Sequence, residues 1–90
     1  MPANASSYEN VPGVSESSNP QPALGAAIRK LRGKSGATQE EIAQDAGITV
    51  AHLSKIERGL TNPTWGTVSA IAGALGVSMV EVARRVEKLN

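Results

Sequence analysis

Few side chains in this 90-residue chain could act on another molecule. His52 is the only histidine and cysteine is absent, so a metal centre would need carboxylates, and none cluster at ligand spacing. Glu40 and Glu41 are sequence neighbours on a predicted helix; they point in different directions and make no acid/base pair. The serines lie mostly before Pro22, with no base to activate them. No glycine-rich phosphate loop is present, because the glycines fall largely at the ends of predicted helices. The expectation is a chain with no enzymatic activity, no metal and no cofactor. What remains is recognition. Thr49, Val50, Ala51, Ser54, Lys55 and Arg58 crowd one short stretch, with Thr38 and Gln39 before it and Asn62 and Thr64 after it. These residues donate and accept hydrogen bonds, offer methyl groups and carry positive charge, without reacting.

Composition sets the frame for those residues. Ninety residues make one small domain, and the apolar supply is short aliphatics with no Phe, one Trp and one Tyr. Such side chains pack best between closely approaching helices. The net charge is only +1, but it is unevenly spread. Residues 1–22 hold Glu9 and Glu16 and no Lys or Arg, which leaves nine basic against six acidic side chains in the remainder. That bias is too mild to argue for nucleic acid by itself. No secretory signal and no apolar run of membrane-spanning length are visible, so a soluble chain in the cytoplasm, associated with the nucleoid, is expected.

The elements that must position the recognition residues are helices. Residues 1–22 are rich in Ser, Asn and Pro, lack periodicity and read as a disordered tail; residues 23–90 read as the domain. Leu24, Ala27, Ile28 and Leu31 predict a first helix from about Ala23 to Lys34, stopped at Gly36. Thr38 and Glu41 form a capping box for a second helix that carries Ile42, Ala43 and Ala46 and ends at Gly47. Thr49 caps a third, with Leu53 and Ile56 inward and Gly59 as its stop. After a polar loop, Thr64 caps a fourth bearing Trp65, Val68, Ile71, Ala72 and Leu75. A second capping box, Ser78 with Glu81, opens a fifth bearing Met79, Val82, Ala83 and Val86. Two short helices joined by a tight turn at Gly47 give residues 39–58 the helix-turn-helix layout.

With those stretches in view, residues 23–88 resemble the phage repressor and Cro family of helix-turn-helix proteins, also called the xenobiotic-response-element type. The resemblance rests on Ile28-Arg-Lys-Leu-Arg32, Thr38-Gln-Glu-Glu-Ile-Ala43, Leu53-Ser-Lys-Ile-Glu-Arg-Gly59, Asn62-Pro63-Thr64, Ile71-Ala72 and Leu75-Gly76-Val77-Ser78. It implies an all-α, compact, five-helix, lambda-repressor-like DNA-binding domain that sets its third helix in the major groove of double-stranded DNA. It also implies a small transcriptional regulator, commonly a repressor, working as a homodimer on an inverted repeat.

On that resemblance, Thr49, Val50, Ala51, Ser54 and Lys55 occupy positions that face the bases. Lys55 can donate to guanine O6 and N7, and Val50 and Ala51 can meet thymine methyl groups. Gln39 and Thr38 at the start of the second helix, with Lys34, Arg58, Asn62 and Thr64, are candidates for the phosphate backbone. Arg32 and Glu57 match a pair that forms a structural salt bridge in the family. Met79, Val82, Val86 and Leu89 serve a dimer surface or the core equally well. A reading of another class stays open: the same fold as a protein-binding module, such as an antitoxin or a co-activator. No small-molecule ligand and no membrane partner are indicated.

Overall fold

Helix starts and stops follow from local chemistry. In the computed structural model, which describes residues 20–89, α1 runs Pro22–Ser35, α2 Gln39–Ala46, α3 Val50–Glu57, α4 Trp65–Leu75 and α5 Met79–Leu89. No strand occurs among the described residues, so the fold is all-α with the five helices that the periodicity indicates. None of these helices is long and apolar enough to cross a membrane. The tail reading of residues 1–22 falls largely outside the described residues, but its last part needs correction. Gln21 is tied down, its N–H donating to the Thr61 carbonyl at 3.2 Å. Pro22 is helical, because its fixed φ and missing N–H suit the first position of a helix.

Caps and a left-handed glycine fix the ends of α2 and the start of α3. Thr38 Oγ1 accepts the Glu41 N–H at 3.1 Å while the Thr38 N–H donates to Glu41 Oε1 at 2.9 Å. Both orphan donors at the start of α2 are thereby satisfied. Gly47 takes φ of 75°, a left-handed conformation that costs other residues energy. The Ile48 N–H then bonds back to the Ala43 carbonyl at 3.0 Å, closing the helix end and carrying Ile48 onto the core. Thr49 Oγ1 caps α3 by accepting the His52 N–H at 3.0 Å. Thr64 and Ser78 cap α4 and α5 in the same way, accepting from the Thr67 and Glu81 amides.

Two apolar clusters hold the helices together. Ile28, Ile42, Ala43, Leu53, Ile56 and Ile71 join α1 to α4, while Leu31, Val68, Ala72 and Val82 join α1, α4 and α5. Leu24 and Leu75 pack against both clusters and make them continuous. Two apolar positions of the predicted inner faces lie outside. Trp65 is 73% exposed, because it is the first residue of α4 and stands beyond the edge of the layer that α4 packs against. Ala83 is exposed as well, since α5 is the last helix and buries only Val82 fully.

One contact sets the position of α1. Gly25 is buried against the end of α3, where a Cβ would stand 2.1 Å from the Ile56 carbonyl oxygen and 3.1 Å from that of Glu57. Gly59, with φ of 75°, meets the start of α1 at Pro22, where a Cβ would be 2.8 Å from the Pro22 Cα. The two backbones touch because neither side carries a side chain there. Gly25→Ala therefore overpacks the fold. The expected cost is about 1–3 kcal/mol, which lowers the melting midpoint by roughly 4–8 °C per kcal/mol in a domain this small. Thermal unfolding followed by circular dichroism measures it, and an unchanged midpoint would show that α1 can back away without loss.

Candidate nucleic-acid interface

The site is built on α3, and α3 is held from behind. Leu53 and Ile56 are buried, so the helix presents its opposite side outward. Val50, Ala51, Lys55 and Arg58 are exposed there, Ser54 is half-buried, and Thr49 stands exposed at the N-terminal end. The spacing of 50, 51, 54, 55 and 58 is one helical stripe, so these side chains form a continuous ridge. Half-buried His52 lies off it.

A buried carboxylate locks the far end of α3. The Glu57 side chain is 2% exposed and accepts three hydrogen bonds. Arg32 Nε donates to Oε2 at 2.7 Å and Arg32 Nη2 to Oε1 at 3.0 Å, a two-pronged pairing of α1 with α3. Gln39 Nε2 donates to Oε1 at 3.0 Å, which brings the start of α2 into the same knot. Arg32 Nη1 also donates to the Ala37 carbonyl at 3.1 Å, fixing the α1–α2 connection. The hydrogen bond with Glu57 holds the Arg32 guanidinium above its ordinary pKa; burial opposes this, and the charges of Glu57 and then Glu40 reinforce it. Arg32 is therefore charged at every pH the fold meets.

This frame sorts the other candidate residues. Gln39, Ser54 and Arg58 share one depression with the Arg32–Glu57 pair. Thr38 and Thr64 have hydroxyls engaged in caps, and Thr64 also donates to Thr67 Oγ1 at 3.1 Å. Asn62 is half-buried in the α3–α4 loop. Lys34 sits in the last turn of α1 beside a different depression, with Ala26, Arg29, Lys30 and Gly33. Among the described residues no group of three His, Asp or Glu could hold a metal ion.

Known proteins share this fold. Residues 23–85 match the helix-turn-helix domain family. The chain belongs to that family. An uncharacterised HTH-type transcriptional regulator of Sinorhizobium fredii is 44% identical over 59 residues, covering 66% of this chain and 77% of the relative. The immunity repressor protein of Bacillus phage phi105 is 36% identical over 56 residues, covering 62% of this chain but only 39% of the repressor. Among solved structures, the clp gene regulator of Corynebacterium glutamicum superposes with a TM-score of 0.74 at 31% identity, covering 76% of this chain and 72% of that one. In this helix-turn-helix domain α2 and α3 are the motif helices, and α1, α4 and α5 are its support.

Two features of the site escape the sequence reading. The Gln39 amide reaches Glu57, 18 positions away, and no local pattern announces such a bond. Arg29 enters the depression beside α3, and only the packing of α1 puts it there. The Glu57 knot makes a measurable claim. Arg32→Ala leaves a buried carboxylate without its counter-charge and is expected to cost about 3 kcal/mol, the low end for buried pairs because Arg32 keeps some solvent contact. Arg32→Met with Glu57→Met removes both charges and should recover most of that loss. Chemical denaturation of the two variants decides it, and a loss below about 1 kcal/mol for Arg32→Ala would place the pair among ordinary surface bridges.

Proposed function

We propose that this chain is a sequence-specific double-stranded DNA-binding transcriptional regulator that lays α3 in the major groove and represses as a homodimer. One observation carries the reading: α3 is fixed by its inner face and its C-terminal end, while Val50, Ala51, Lys55 and Arg58 of its outer ridge stay exposed. A helix held this way can enter the major groove, which is about 12 Å wide, without rearranging. Lys55 donates to guanine O6 and N7, Val50 and Ala51 meet thymine methyls, and Ser54 and Thr49 complete the base-facing set. Gln39 and Thr38 approach a phosphate at the start of α2, Lys34 and Arg58 add charge, and Asn62 and Thr64 approach the backbone from the α3–α4 loop. The cytoplasmic nucleoid is the place of action, and blocking a promoter follows from occupying it.

The second copy docks at an apolar groove that no α3 residue lines. Leu24, Pro63, Val68, Met79, Val82 and Val86 line an apolar groove whose rim carries the exposed Trp65. Knob and groove lie on one face, so two copies related by a two-fold axis can each offer Trp65 to the other. An exposed tryptophan beside an apolar groove is the combination that association relieves.

Selection of a randomised duplex library at near-physiological salt, followed by sequencing, tests the reading. An inverted repeat with half-sites about one helical turn apart, ~34 Å, is expected. Lys55→Ala should lose about 1–3 kcal/mol of discrimination at one position of each half-site. Failure to retain any duplex would point instead to a protein-binding module. Trp65→Ala, examined by sedimentation, should shift the chain toward monomer without changing its circular dichroism; an unaltered sedimentation profile would remove the groove from the dimer.

A further inference from the structure

We propose that Arg29 of α1, together with Arg58 at the C-terminal cap of α3, forms a clamp for one backbone phosphate of the DNA strand that runs past the end of α3. The inference rests on the DNA-binding reading and adds Arg29 to the side chains that touch the duplex. It starts from helical register. Gly25, Arg29 and Arg32 are spaced by four and three residues and so lie along one stripe of α1. The structure fixes two of the three against α3: Gly25 by backbone contact with Ile56 and Glu57, and Arg32 by its bonds to Glu57. Arg29 lies between them on that stripe, exposed, and borders the depression at the same end of α3 as well as the one beside Lys30 and Lys34.

Around it the chain forms a depression of about 210 Å³ lined by Arg29, Arg32, Gln39, Ser54, Glu57 and Arg58. Three arginines against one glutamate leave this cleft positive. The Arg32–Glu57 pair is internal to the fold, so the surplus charge belongs to Arg29 and Arg58. Both are exposed, and the Nε of Arg58 donates to the Ser54 carbonyl at 3.4 Å, which lays its guanidinium along α3. Ser54 belongs to the outer ridge, so the cleft borders the surface that enters the groove. A phosphate is the group that a pair of guanidinium forks with a hydroxyl and an amide alongside is suited to bind. Phosphate contacts of this kind set the register of a reading helix and carry no sequence information themselves.

The test uses the full chain, a duplex taken from the selection and a scrambled duplex of the same length, with binding followed by fluorescence anisotropy between 50 and 200 mM salt. Arg29→Ala should weaken binding to both duplexes by the same factor. It should also flatten the plot of log affinity against log salt by about 0.9, so that the gap to wild type narrows roughly threefold over that range. Arg29→Lys should restore the slope, and equal melting midpoints for wild type and both variants are expected. Affinity and slope unchanged in Arg29→Ala would overturn the clamp while leaving the DNA-binding function standing. A loss confined to the selected duplex would also overturn it, since that is base reading. Wild type that binds neither duplex would overturn both the function and the clamp.

Discussion

Contact between α1 and the C-terminal end of α3 is the constraint on which the rest of the structure depends. At Gly25 and Gly59 the chain carries no side chains, and the two helices meet backbone to backbone. That approach brings Arg32 within reach of Glu57, and Glu57 then gathers Gln39 from α2. Three helices converge on one carboxylate. An α3 of only eight residues is too short to be stable by propensity alone, so tertiary contacts decide its orientation.

Burying Glu57 removes it from water, and its partners have to replace the hydration it loses. Two arginine nitrogens and one amide do so, and no buried side-chain polar atom among the described residues is left without a partner. The gain from such a pair is chiefly directional. An apolar contact would tolerate sliding of α1 along α3, whereas a two-pronged bond does not. The same pair changes the electrostatics of the surface, because the arginine nearest α3 is consumed internally and the outward charge passes to its neighbours.

The two apolar clusters divide the labour. The first surrounds the inner faces of α2 and α3 and sets the angle between them; the second joins α1 and α4 to α5. Since α5 buries only Val82 fully, an apolar groove stays open beside Trp65. The outer ridge of α3 and this groove rest on different clusters, joined through Leu24 and Leu75. The longer phage relative shows that such a domain also occurs within larger chains, since the match covers 39% of that repressor.

Local chemistry was enough to determine the helices and their ends. Thr38, Thr49, Thr64 and Ser78 cap because a side-chain oxygen two or three residues from free amides satisfies them in any context. Gly47 turns the chain because only glycine adopts positive φ without cost. The aliphatic stripes of α1 through α4 are core because their period matches the helix. Period alone cannot tell whether a neighbour exists at a given end, which is why Trp65 and Ala83 read as inward and lie outside. Composition likewise set Gln21 and Pro22 in a tail, though the bond from Gln21 to Thr61, the Gly25 amide on the Gln21 carbonyl and the conformation of proline bring them into the fold. The recognition ridge was legible as residue types at helical spacing. Of its anchoring, the Arg32–Glu57 pair followed from the resemblance and is present; the parts played by Gly25, Gln39 and Arg29 were not legible, because they join Glu57 across separations that local pattern does not encode. Sequence determines which surfaces exist, since that depends on bonds within a few residues. Tertiary structure decides which of them meet, since that depends on how closely two backbones can approach.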